Sequence, residues 1–308
     1  MIIDDGDGNE QAMEHDDKET YILLLLSDSN LPTGSFVASS GLESFVKHGF
    51  FSSHSSASDS TLSFIQDSLA TYARSALPFV SDAHHIVEEF SQSDDTDIDT
   101  TIVGLNALDD LYESMTLNHV AKRASKSQGV ALLTLYSKGF SKPIFLQQEE
   151  TTESTRETRL LSLVDRLKLT IRREETEGHL PICWGVLTGA LQLSLGIFIF
   201  YYPLVPGLDN LTACAERAQY LHLFLHARGL LSAAVRLNIL GPYGAQQLLL
   251  HAVRPLIDRE VSRCKHLHTE LHNAELAEEN FDGPATTWPL GEILATRHDL
   301  QHSRIFNS

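Results

Sequence analysis

The chain has 308 residues, is 42% hydrophobic, and carries a formal charge of −18, so it can bury the core of one large domain or two modest ones. Residues 1–20 hold eight acids against one Lys, and residues 91–100 hold four acids and no base; these two stretches carry −11 of the −18, leaving a mildly acidic body. No basic stripe is available to neutralise phosphates, which argues against nucleic acid as a partner.

Cys183, Cys214 and Cys264 are widely spaced and odd in number, which excludes a disulfide framework or a Cys-x-x-Cys metal knuckle and fits a reducing compartment. The N-terminus offers acids where a secretory or transit leader needs a basic and then an apolar region, so no leader and a cytoplasmic location are expected.

In chain order, residues 1–20 read as a disordered acidic tail, with helix beginning near Tyr21. The stretch Leu23 to Phe45 then passes from an apolar strip through a Pro32/Gly34 turn and a run of small residues into a helix carrying Glu43 and Phe45. After a Ser-rich loop capped by Asp59 or Ser60, the spacing of Leu62, Ile65, Leu69, Tyr72 and Ala76 predicts an amphipathic helix that ends at Pro78. Separate helices are expected through Val80 to Phe90, Ile102 to Met115 and Val120 to Leu133, the last lined by Ala121, Ala124, Ser127 and Gly129. The charged stretch 141–177, with a short helical pattern at Leu160, Leu161, Val164 and Leu167, reads as an excursion from the core, and 91–100 as an inserted acidic loop.

Residues 178–208 contain no Asp, Glu, Lys or Arg and include Gly185-x-x-x-Gly189, a spacing that lets membrane helices approach closely. An integral membrane protein spanning here is the competing class. Gln192 and Ser194 inside the run, Pro203 and Pro206 at its end, and the lack of flanking Lys or Arg instead favour a buried central helix, Pro181 to Phe200. A long helix from Leu211 to Ile239 stops at Gly241-Pro242, and another through Ala245 to Ile257 is expected to bend at Pro255. No alternating strand pattern and no internal repeat is found. The expectation is an all-α chain, a single compact multi-helix domain over 21–280 followed by a C-terminal tail, 281–308.

Fifteen histidines raise a metal-dependent hydrolase as a further alternative, with His222 and His226 on one helix face. Neither this pair nor His298/His302 comes with an obvious third ligand, and no HExxH, G-x-S-x-G, GxxxxGK[ST] or GxGxxG is present. No catalytic residue, bound metal or cofactor is therefore expected. Arg228, Ser232 and Arg236 recur at i, i+4 and i+8, placing two guanidiniums around a hydroxyl. The tail offers Arg304, Ile305 and Phe306 as a cation with apolar anchors, expected to be mobile alone and fixed by a partner.

The segments LLSDSNLPTGSFVASSGLES (25–44), AKRASKSQG (121–129), HLPICWGVLTGALQLSLG (179–196), ARGLLSAAVRLNILGPYGAQ (227–246) and SRIFNS (303–308) together resemble the urease accessory protein F (UreF) family, in the family's order. Ser35 stands where the family commonly has Gly. The resemblance implies an all-helical, non-catalytic homodimer that docks on a UreD/UreH-type accessory protein and acts with a UreG-type GTPase to deliver nickel to apo-urease. Nickel is then cargo of the complex. Glu43, Arg228, Ser232, Arg236, Arg304, Ile305 and Phe306 are the candidate partner-binding residues.

Overall fold

The structure is a computed structural model and describes residues 17–28, 31–51, 56–93, 95–143, 152–193, 217–271 and 283–307. Among these residues every regular element is helical. Helix α1 covers 17–26 and starts ahead of Tyr21; the rest of the expected acidic tail, 1–16, lies outside the described residues. The others are α2 (Leu42–Lys47), α3 (Ala57–Gln92), α4 (Ile98–Met115), α5 (His119–Leu135), α6 (Thr152–Arg172), α7 (Leu180–Ala190), α8 (Arg217–Arg236), α9 (Pro242–Gln247), α10 (Arg254–Cys264) and α11 (Pro289–Thr296).

The organising element is α3, a single helix of 36 residues where two were expected. Its cap is Ser56, whose Oγ accepts from the Asp59 N–H, so the cap lies three residues earlier than the nearer expected one. Pro78 sits inside α3 without ending it. A proline frees the carbonyl four residues back, and here the Arg74 carbonyl accepts from the Ala285 N–H at 3.4 Å. A tertiary partner thus replaces the lost helical bond.

The N-terminal half of α3 packs with α8, α9, α10 and Phe306 around Phe64, Leu69, Leu223 and Val261. Its C-terminal half packs with α4, α5, α6 and α7 around Phe79, Phe90, Leu105 and Leu133. Leu160, Leu163, Val164 and Leu167 of α6 are buried in this second cluster. The stretch 141–177, expected to leave the core, therefore supplies part of it: the short helical pattern at Leu160, Val164 and Leu167 packs inward despite the charged residues around it.

Helix α7 is buried from Pro181 to Ala190, as a central helix should be, but it is 11 residues long. Gln192 adopts φ +56°, with Gln192 N–H bonded to Gly189 O and Leu193 N–H to Thr188 O, a Schellman stop. The expected extension to Phe200 is contradicted up to residue 193, and residues 194–200 lie outside the described ones. No helix among the described residues is long and apolar enough to cross a membrane.

Gly185 and Gly189 face α3 instead of lipid. A Cβ on Gly185 would lie 2.5 Å from Val80 O and 2.9 Å from His84 N, so only glycine lets these backbones meet. Helix α8 ends at Arg236 with Asn238 at φ +58°, and the path from α9 into α10 widens to a π turn, Leu248–Val253, just ahead of Pro255. That wider turn accommodates the proline ring at the start of α10.

Candidate functional site: a clamp on the C-terminal tail

The tail returns to the start of the fold. After α11 and a 3₁₀ turn, Arg297–Leu300, the chain lies against α2, α5 and the loop that follows Gly34. Gly41, at φ +85°, sets the entry to α2 and leaves room for Ala295, whose Cβ is 3.1 Å from the position a side chain at 41 would take. This entry directs Glu43, in the first turn of α2, into the interior, where it is fully buried.

The Glu43 carboxylate accepts from the N–H groups of Ile305 (2.9 Å) and Phe306 (3.2 Å) and pairs with Lys47 at 3.0 Å. Burial pushes its pKa up, but the Ile305 N–H, Lys47 and the Phe306 N–H outweigh burial and hold it below the ordinary value. The other side of the tail is equally well bonded. Buried His298 donates from Nε2 to Phe306 O at 3.1 Å, Asn307 N–H donates to Val37 O at 2.9 Å, and Arg123 donates to Asn307 O at 2.9 Å. The N–H of Ile305 and both main-chain groups of Phe306 and Asn307 thus each meet a partner.

Arg236 joins this site. Its guanidinium lies 4.3 Å from the centre of the Phe306 ring and donates to Phe36 O, linking the tail to the loop after Gly34. Arg123 grips Asp299 with two bonds of 3.0 Å, and Arg304 adds a third at 2.8 Å. Those bonds, led by Arg123, hold the Asp299 carboxyl at a pKa of about 2. Beside them opens a groove of about 690 Å³, walled by Ala124 and Ser127 of α5 and edged by Arg304 and Ile305. The small residues of α5 thus divide: Gly129 packs against the Gly178 backbone, while Ala124 and Ser127 line open space.

Of the sequence-derived candidates, the fold brings together Glu43, Arg236, Arg304, Ile305 and Phe306. The tail is packed on the chain's own body, in contrast to the expected mobility: Phe306 is buried in the core, while Arg304 and Ile305 face outward, Ile305 being 55% exposed. Arg228 and Arg236 do not enclose Ser232. Arg228 donates to Ser27 O, away from the tail, and with Ser232 lines a second pocket of about 280 Å³ that adjoins the groove through Ala38, Ala124 and Gln128. Sequence reasoning missed Arg123 and Asp299, and weighed His298 only as half of a metal-spaced pair with His302. Arg123 stood inside a recognised segment, 121–129, but no spacing links it to Asp299, 176 residues away.

The histidine pair is absorbed by the core. His222 bonds Tyr72 at 2.9 Å and His226 bonds Ser68 at 3.0 Å, and burial pushes their pKa values down to about 3 and about 4. No group of three or more His, Cys, Asp or Glu that could hold a metal ion occurs among the described residues. One constellation looks like a triad: His179 lies 3.2 Å from Ser125 Oγ and 2.7 Å from Glu113. Its serine is buried and already accepts the Leu180 N–H at 2.9 Å, so it caps α7. Asp109 completes that junction by accepting from the Thr176 hydroxyl and the N–H groups of Glu177, Gly178 and His179.

Fold and clamp together define an all-helical protein whose distinctive surface is a chain end packed on the body beside a groove. The sequence profile of the UreF family matches residues 56–204 and 208–253. The chain is 39% identical to urease accessory protein 6 of Cryptococcus neoformans var. grubii, over 94% of this chain and 98% of that one. It is 28% identical to a UreF-like urease accessory protein of Schizosaccharomyces pombe (94% and 97% covered) and 27% identical to urease accessory protein F of Oryza sativa subsp. indica (91% and 82% covered). The chain belongs to the UreF family.

Proposed function

We propose that the chain serves urease maturation as a non-catalytic assembly subunit, a homodimer that binds a UreD/UreH-type accessory protein and positions a UreG-type GTPase so that nickel passes only into apo-urease. The reading places this work in the cytoplasm, with no membrane or nucleic-acid partner. Likeness to proteins named as urease accessory proteins, over more than nine-tenths of this chain, supports the general role.

The observation that carries the partner-binding part is the clamp. Phe306 is inlaid, Glu43 and Arg236 hold it, and Arg304 and Ile305 are thereby presented at the rim of the groove. An apolar side chain flanked by a guanidinium is the composition of an interface anchor, and a tail already fixed needs little further ordering on binding. Arg228 and Ser232 stay candidates for a second contact on the α8 side.

The test is co-expression of urease with the other accessory proteins, with and without this chain, reading nickel content and urease activity. Loss of both without the chain is expected; full nickel loading without it overturns the role. Ile305→Asp with Arg304→Glu is expected to abolish co-purification with the UreD/UreH-type protein at unchanged helical content. Undiminished capture places docking elsewhere.

A further inference from the structure

The acidic corner between α3 and α4 has no part in the clamp, and it meets α6, which also plays no part there. In the last turn of α3, Arg156 of α6 donates from Nη2 to Ser91 Oγ at 2.7 Å. Arg159, one turn further on, lies 4.7 Å from the centre of the Phe90 ring and donates to Ser93 O at 2.9 Å and Thr96 O at 3.4 Å. The Arg156 Nε is buried and has no hydrogen-bond partner. Nε and one Nη form the edge with which a guanidinium grips a phosphate by two parallel bonds. Here half of that edge is in use, and the atom it touches is a serine oxygen.

The sequence around this serine has a matching character. Glu88 and Glu89 precede Ser91 by three and two residues, and Asp94 and Asp95 follow it by three and four. Acids on both sides of a serine, at +3 above all, are what kinases with a basic substrate groove select by charge complementarity. Ser91 is half-buried, but one residue separates it from the end of α3, and Ser93 is already extended at φ −113°, ψ 121°. A terminal helical turn frays at small cost, which exposes the hydroxyl.

We propose that Ser91 is a phosphorylation site for an acid-directed protein kinase and that Arg156 is the receptor for the phosphate. In the transfer, Ser91 Oγ forms a bond to the γ-phosphorus of ATP, the bond from that phosphorus to the β–γ bridging oxygen breaks, ADP leaves and the hydroxyl proton passes to the kinase's base. The product carries close to two negative charges and three acceptor oxygens. Arg156 then gains a bidentate partner, with Arg159 a turn away. Glu88, whose carboxylate is 3.3 Å from Gln92 Nε2 and 3.5 Å from His85, opposes the new charge. Two guanidiniums against it favour closure of α3 onto α6, so the modification stiffens the corner.

The test incubates the purified full-length chain with ATP and an acid-directed serine kinase, maps phosphate by mass spectrometry, and compares thermal midpoints before and after. Phosphate on Ser91, lost in Ser91→Ala, and a midpoint rise of about 2 °C or more, reversed by phosphatase, are expected. Arg156→Ala is expected to accept phosphate and show no rise between its own two forms. Phosphate confined to Ser93 or Thr96, no phosphate at all, or an equal rise in Arg156→Ala overturns the proposal.

Discussion

The α3–α7 seam and the clamp on the tail hold the chain together by opposite means. In the seam the contact is shape: Gly185 and Gly189 bring two backbones together, and the polar groups inside it, such as His84 bonded to Thr188 at 3.0 Å, are neutral and few. In the clamp the contact is charge and main-chain bonding: a buried carboxylate takes two N–H groups, and guanidiniums close over a ring and a carbonyl. A seam of backbone contact has one fit and tolerates little insertion. A clamp built from discrete bonds can be weakened stepwise.

The sharpest break of this comparison lies in the seam. Gly185→Leu is expected to yield no folded protein, and Gly185→Ala to cost about 3 kcal/mol in urea denaturation, because the added carbon meets main-chain atoms that cannot step aside. A cost below about 0.5 kcal/mol for the alanine variant would refute the tight-seam account. Next in size is Asp109→Ala, which leaves a hydroxyl and three N–H groups at the α7 start without their acceptor and is expected to cost about 3 kcal/mol by the same measurement.

Acid should separate the core, where buried histidines lie on or against α3, from the clamp. Burial pushes His84, His222 and His226 down to about 3, about 3 and about 4, so the fold keeps them neutral while the unfolded chain protonates them near 6.5. The unfolded state then binds more protons, and stability falls as pH drops below about 6.5. The clamp's acids, Glu43 and Asp299, are held below their ordinary values, so their contribution persists at pH 5 and fades only as pH falls below about 4. Urea midpoints at pH 7.5, 6.5 and 5.5 should therefore decline while tryptic cleavage after Arg304 stays slow. A flat profile over that range would contradict the neutral buried histidines of the core.

Smaller effects belong to the clamp itself. Glu43→Gln should cost about 1–2 kcal/mol and speed tryptic release at Arg304, since an amide retains one acceptor but turns a donor toward an N–H. Ile305→Ser, at an exposed side chain, should change stability by less than about 0.5 kcal/mol while weakening partner capture.

Much of this was legible in the sequence. Periodicity located α3, α4, α5 and α8, and the five recognised segments located the family. Glu43, Arg236 and the tail were singled out, though not their contact, because a separation of 262 positions between Glu43 and Ile305 leaves no local signature. Two readings failed for opposite reasons. Pro78 looked like a helix end because its remedy, the Ala285 N–H, comes from far along the chain. Helix α6 looked peripheral because its charged composition outweighed an apolar pattern that was visible at Leu160, Val164 and Leu167.

The sequence by itself determined the helical class, the close approach built into Gly185-x-x-x-Gly189, and the family, since these depend on spacing and residue type along the chain. Tertiary structure alone decided where that close approach is used, that α7 stops at Ala190, and that Glu43 receives the tail. The first and last depend on contacts between distant parts of the chain, which leave no local periodicity, and the stop of α7 depends on the left-handed turn at Gln192, which no residue type there announces.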